Sequence, residues 1–256
     1  MEWYKEIFDF VLKEVPDIDS HLPPSLSKDP TPLDVDFIID VLKIKRPARI
    51  LDLCCGTGRH SVLLAEKGFN VVGLDLSSQA IKKAKLKLIT RNVKARFVRK
   101  DMRAIPFNKY FDAIINMSDS FGYFNNDEDN YKIIENVSNS LKNGGKFLLE
   151  VLNRERLIRK PLTLFIEYKN WYSIISTKVD PVTGIEKGKV IYIKKDGTKK
   201  KEWDVSVKRY TVPEYERMFK GVGLKILNVF GDFYKSKFNV DSPAMIILAQ
   251  KEYNLS

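Results

Sequence analysis

A chain of 256 residues, 44 % of them hydrophobic, holds enough apolar material for one large domain or a core with an insertion, which excludes disorder as its dominant state. No apolar run nears the roughly 18 to 20 residues of a bilayer span, and Met1-Glu2-Trp3-Tyr4-Lys5 lacks the basic-then-apolar layout of a signal peptide, so a cytoplasmic protein is expected. Cys54 and Cys55 are adjacent and the imidazoles are His21 and His60, a set that suits neither a disulfide framework nor a closed zinc site.

Lysine and arginine number 44 against 33 acids, a formal net charge of +11. Much of the excess lies between residues 82 and 103, where Lys82, Lys83, Lys85, Lys87, Arg91, Lys94, Arg96, Arg99, Lys100 and Arg103 face Asp101 alone. Such a stretch is either a nucleic-acid surface or a solvated helix face followed by an edge strand protected by charge. Phe97 apart, it lacks the interleaved aromatic rings that base stacking requires, which favours the second reading.

In chain order, residues 2–15 and 34–44 read as helices joined by a segment rich in proline (Pro23, Pro24, Pro30, Pro32), an arm able to cover the edge of a sheet. A short apolar run, Arg49 to Leu53, precedes a helix over 58–67; a second run, Asn70 to Asp75, precedes a basic amphipathic helix over 77–91 with Ser77 as N-cap. The same alternation continues with strands Ala95 to Val98 and Phe111 to Ile115. A helix over 127–141 then ends at Asn143-Gly144-Gly145 and leads into strand Lys146 to Val151. Beyond residue 160 the period changes to two over Trp171 to Val179, Glu186 to Lys194 and Lys199 to Val212, an antiparallel meander with turns at 180–184 and 196–197. A short helix with Pro213 in its first turn follows, then strands Leu224 to Phe230 and Ala244 to Gln250, with no room for a helix between them, so they pair antiparallel. The expected fold is α/β: a Rossmann-like, mostly parallel sheet of seven strands closed by an antiparallel hairpin, with a β meander inserted. One domain spans 1–256, divided into an arm (1–44), a core (45–152 and 213–252) and the meander (160–212).

Asp52-Leu-Cys-Cys-Gly56-Thr-Gly58 lies between the first strand and the next helix, where glycines let the backbone approach a ligand and helix N–H groups face an anion. Asp75 ends the second strand 19 positions after Gly56, near the spacing at which a carboxylate meets a ribose diol. A dinucleotide fingerprint needs a third glycine where this chain has Ser61, which disfavours NAD. Taken with Asp101-Met102 and Phe111-Asp-Ala-Ile-Ile-Asn116, the run Ile50 to Gly58 and Asp75 resemble the successive motifs of class I S-adenosylmethionine-dependent methyltransferases over residues 34–152 and 213–252. The resemblance implies that the loop from Asp52 through Gly56 and Gly58 abuts the methionine end of S-adenosylmethionine and that Asp75 accepts the ribose hydroxyls. It further implies Leu76 beside the adenine, Asp101 on its amino group with Met102 packed nearby, and Asn116-Met117 under the sulfonium. The family's usual first glycine is Cys54 here, a small side chain that a variant loop accommodates.

Acceptors bind at the carboxyl edge of such sheets, where the loop Asn116 to Phe124 emerges. Asp119 and Tyr123 are its candidate catalytic groups, with a helix cap and a half-buried aromatic as their bland alternatives; His60, in the first turn of the glycine-loop helix, either reaches the site or packs. The loop has neither the Asn/Asp-Pro-Pro-aromatic turn of nucleobase amino-methylating enzymes nor a cysteine for covalent pyrimidine chemistry. Ser120-Phe-Gly-Tyr-Phe124 and the meander resemble small-molecule N-methyltransferases related to those for glycine or amino sugars. Trp203, Val205, Val207 and Arg209 share one face, so Arg209 ends an apolar row and needs an anion: an acidic group on the acceptor, or an internal partner such as Asp119 or Glu150. The leading expectation is a small-molecule, nitrogen-directed methyltransferase whose meander lids the methyl group. The alternatives are an RNA methyltransferase using the 82–103 stretch and a non-catalytic S-adenosylmethionine-binding protein.

Overall fold

The computed structural model describes residues 2–15, 29–124 and 126–253; His21, Pro23 and Pro24 lie outside them. Five strands, β1 (Arg49–Leu53), β2 (Asn70–Asp75), β3 (Arg96–Arg99), β4 (Phe111–Asn116) and β5 (Leu141–Leu152), run parallel, and β10 (Leu224–Phe230) and β11 (Ala244–Lys251) close the sheet antiparallel in the order β10-β11-β5-β4-β1-β2-β3. Strand alternation sorts its side chains onto two faces. Ile50, Val71, Ile115 and Leu148 pack under α2 (Thr31–Leu42) and α3 (Arg59–Glu66), whereas Leu51, Leu53, Val72, Leu74, Ile114 and Leu149 pack under α5 (Asp127–Ser140) and α7 (Val212–Lys220). The helix α4 (Ser78–Arg91) starts where expected, with the Ser77 hydroxyl accepting the Ala80 N–H at 3.3 Å.

The second sheet has four antiparallel strands, β6 (Leu162–Glu167), β7 (Trp171–Val179), β8 (Ile185–Lys194) and β9 (Lys200–Lys208). The meander therefore has one strand more than its period suggests: β6 is an edge with Leu164 and Phe165 exposed, so its pattern lacks the polar-out alternation of a half-buried strand. Its last strand stops at Lys208 because Thr211 and Glu214 form a capping box that starts α7 at Val212. Likewise β5 begins at Leu141, immediately after α5, with Leu141 paired to Phe111 and the Gly144-Gly145 pair carried inside the strand. The first helix, α1 (Trp3–Glu14), packs Ile7 and Val11 on Tyr168, Trp171, Tyr192 and Val205 of the second sheet. Trp171 Nε1 donates to the Glu14 carbonyl at 2.9 Å and Trp3 Nε1 to that of Ser206 at 3.2 Å. No helix among the described residues is long and apolar enough to cross a membrane.

Candidate active site

At the carboxyl end of β1 the chain turns through Cys54 (φ +60°), Gly56 (φ +53°) and Gly58 (φ +80°) into α3. A side chain at Gly58 would meet Phe97 at 2.9 Å, so the turn needs glycine there, whereas the space over Gly56 is open. Asp75 braces the turn from the neighbouring strand: it accepts the Gly56 N–H at 2.9 Å and the Ser77 N–H at 2.8 Å, one on each oxygen. A carboxylate has roughly four acceptor sites, so two remain for a diol. Burial pushes Asp75 above the usual carboxylate range, against the pull of those two N–H groups.

Asp52 is buried beneath the loop and takes the Ser61 hydroxyl at 2.6 Å. The serine that replaces a third glycine thus serves Asp52. Cys54 places its sulfur 3.5 Å from the Met102 thioether, and burial raises the thiols of Cys54 and Cys55 well above their ordinary range, so neither is a ready thiolate. Leu76 and Met102, expected beside the adenine, lie in one apolar cluster. Asp101 gives both oxygens to Arg103, at 3.1 Å and 2.7 Å, so an adenine amino group would have to share it. Helix α1 reaches this edge too, with Asp9 3.3 Å from the Ser77 hydroxyl.

The strand β4 ends in Asn116, whose amide donates to the Leu53 carbonyl at 2.8 Å while its own Oδ1 is buried without a partner. Met117 departs from the expectation: strand alternation turns its side chain into the opposite cluster under α2, away from Asn116. Ser118 (φ +60°) and Asp119 (φ +58°) are consecutive left-handed residues that are not glycine, a strained turn whose neighbours over-determine it. The Ser118 N–H donates to the Glu150 carboxylate, and Asp119 accepts the Leu152 N–H at 2.9 Å. Gly122 then crosses so close to β9 that a Cβ would lie 2.2 Å from the Lys208 carbonyl oxygen.

Arg209, 4 % exposed, lies between two carboxylates. Its Nε donates to Glu186 at 2.6 Å, and its terminal nitrogens bind Asp119, one of them at 2.8 Å. The expected role of Arg209 as an acceptor anchor is therefore corrected, since the carboxylates it meets are internal, with Asp119 as one of them and Glu150 not. Asp119, in turn, is neither a helix cap nor a free base. His60, also buried, sets Nε2 3.1 Å from Asp34, which Arg59 shares at 2.8 Å, and packs between α2 and α3. Tyr123 is half-buried, its ring against Trp3, Tyr4 and Phe8 of α1 at 5.1, 5.9 and 6.3 Å. Burial and the Asp119 charge raise its hydroxyl, which stays protonated.

One group went unmarked as a site. Glu150, half-buried near the end of β5, is pushed up to about 7 by burial and by the charges of Asp119 and Asp34, against the Ser118 N–H and Arg59. The available signal is an acid interrupting the otherwise apolar run Phe147 to Leu152, where a charge needs a reason.

Residues 50–145 match the family model described as a methyltransferase domain. The chain is 31 % identical over 211 residues to YqeM of Bacillus subtilis (strain 168), a methyltransferase by name alone, covering 79 % of this chain and 84 % of that protein. It is 30 % identical over 221 residues to the glycine/sarcosine N-methyltransferase of Halorhodospira halochloris, covering 85 % and 81 %. Among solved structures, an S-adenosylmethionine-dependent methyltransferase from Clostridium acetobutylicum ATCC 824 superposes with a TM-score of 0.76 at 21 % identity over 98 % of both chains.

Proposed function

Because the chain belongs to the class I S-adenosylmethionine-dependent methyltransferases, we propose that it methylates a nitrogen atom of a small-molecule acceptor. The observation that carries this reading is the relation to a glycine/sarcosine N-methyltransferase over 85 % of the chain. The β4 exit loop agrees with it, since that loop lacks both the proline turn and the cysteine that nucleobase chemistry uses.

The residues present fit the cofactor. The open space over Gly56 and the N-terminal N–H groups of α3 suit an amino-acid end, Asp75 has acceptor capacity for a ribose diol, and Leu76 and Met102 supply apolar walls for adenine. The unpartnered Asn116 oxygen suits the positive sulfonium end. When bound, S-adenosylmethionine supplies an electrophilic methyl group whose carbon–sulfur bond breaks toward sulfur as the acceptor nitrogen attacks. The chain's own task is then alignment and exclusion of water, for which Tyr123, under α1 and beside the β9 end of the second sheet, is the candidate acceptor wall. Its protonated hydroxyl can orient an acceptor but not serve as base.

An RNA acceptor has less support. In the basic stretch Arg103 is paired with Asp101 and Asp129, Arg91 with Glu66, and Arg99 with the Leu76 carbonyl. Calorimetry with S-adenosylmethionine against NAD, followed by transfer of a labelled methyl group to a panel of amines and to bulk RNA, tests the reading. Binding of S-adenosylmethionine with label in amines supports it; label in RNA overturns it.

A further inference from the structure

We propose that Glu150 anchors the acceptor: its free carboxylate oxygen receives the ammonium form of an amine and takes one of its protons, and the site so built selects amines that carry no carboxylate of their own. This rests on the S-adenosylmethionine-dependent, nitrogen-directed reading above and adds to it a substrate class and a proton acceptor.

The geometry starts from the sheet. Glu150 stands one residue beyond the Asn116–Leu149 pair, at the carboxyl edge where β4 and β5 lie side by side. That is the edge at which open parallel sheets bind their ligands. One of its oxygens accepts the Ser118 N–H, which the left-handed Ser118-Asp119 turn aims at it; the other has no hydrogen bond from a described residue. Among the described residues no cation is paired with it. Arg59 is occupied by Asp34, Thr31 and the Ser118 hydroxyl, and Arg209 by Asp119 and Glu186.

The charged groups that face Glu150 are Asp34 from α2, Arg59 from α3 and Asp119 from the β4 loop; Asp34 is paired with Arg59 and Asp119 with Arg209, so the charge left over at this corner is that of Glu150 itself. This corner attracts a cation and repels an anion. A carboxylate on the acceptor would meet repulsion and no free guanidinium, which sets this chain apart from what the name of its glycine/sarcosine relative describes. Glu150 titrates near 7, in the range where a carboxyl can accept a proton from an ammonium and return it to water. The proton balance is closed. The ammonium gives one proton to Glu150, and the freed lone pair forms the new bond to the methyl carbon. The carbon–sulfur pair stays on sulfur, and the carboxylic acid then loses its proton to solvent.

The test uses the whole chain saturated with S-adenosylhomocysteine and carrying 13C-labelled glutamate, with ethylammonium and glycine as probes. A carboxyl resonance that disappears in Glu150→Gln should titrate near pH 7, and ethylammonium should lower its midpoint by about one pH unit while glycine leaves it in place. With S-adenosylmethionine, Glu150→Gln should lower kcat/KM for ethylamine by about a hundredfold and remove the acidic limb of its pH profile, with Glu150→Asp restoring part of both. Unchanged affinity of Glu150→Gln for S-adenosylhomocysteine shows that the variant folds. A resonance indifferent to ethylammonium, methylation of glycine in preference to ethylamine, or an unaltered pH profile in Glu150→Gln overturns the proposal and leaves the methyltransferase reading standing. Failure of the native chain to bind S-adenosylhomocysteine instead overturns the reading on which it rests.

Discussion

Two charged corners flank the β4 exit loop, and they differ in how their charges are compensated. Around Arg209 everything is closed: the guanidinium meets Asp119 and Glu186, Glu186 also takes the Thr177 hydroxyl, and the backbone N–H of Arg209 donates to the Gly184 carbonyl at 2.8 Å. Around Glu150 an acid keeps an oxygen free and sits beside other acids. The first arrangement ties the four-stranded sheet to the loop that leaves the parallel sheet. The second stores an unfavourable ionisation at the place where chemistry needs one. A buried charge that is fully paired serves structure, and one left unpaired is held at a cost to stability.

Breaking the closed corner should give the largest effect. Arg209→Leu leaves buried Glu186 and half-buried Asp119 without their cation and should destabilise the protein by about 3 kcal/mol in urea unfolding, lowering acceptor and cofactor affinity together. A change confined to the acceptor's KM would instead restore Arg209 as a substrate contact. Asp75→Ala should weaken S-adenosylmethionine binding by about 1.5 to 3 kcal/mol in calorimetry, through loss of the diol contacts and of the Gly56 brace; unchanged affinity would remove Asp75 from the cofactor site.

Glu150→Gln sharpens the comparison through pH. A carboxyl raised from the usual range to about 7 binds protons more tightly folded than unfolded, so the stability it contributes is present at low pH and lost as pH rises through about 4.5 to 7. Removing its ionisation should therefore stabilise the protein by about 3 kcal/mol at pH 8 and hardly at all at pH 4.5, read from paired denaturation curves. Equal effects at both pH values would mean that Glu150 is compensated after all. The smallest effect belongs to the basic helix face: changing Lys82, Lys83 and Lys85 together to Gln should move stability by no more than about 0.5 kcal/mol and leave amine methylation unchanged. A steep loss of activity there would revive the RNA reading.

Much of this was legible in the chain. Strand and helix periods, the Ser77 cap, the glycine turn with Asp75, and the antiparallel closing hairpin are local or nearly so, and each is written in spacing. What spacing left open was partnership. Arg209 announced that it needed an anion but not that Asp119, 90 positions earlier, and Glu186 would both supply it. His60 and Met117 carried suggestive positions, yet burial under α2 decides their surroundings. The edge strand β6 is hidden in the sequence because exposed apolar residues obscure a period of two.

The sequence by itself determined the order of elements, the turn that receives a cofactor and the acids that mark it, because those depend on residues close together in the chain or at fixed offsets across one crossover. Only the tertiary structure decided which charges cancel. Whether a buried ionisable group is silent or reactive depends on the few ångströms to its neighbours. Those neighbours, Asp34, Arg59, Asp119 and Ser118 around Glu150, come from separate elements that meet only after the sheet has formed.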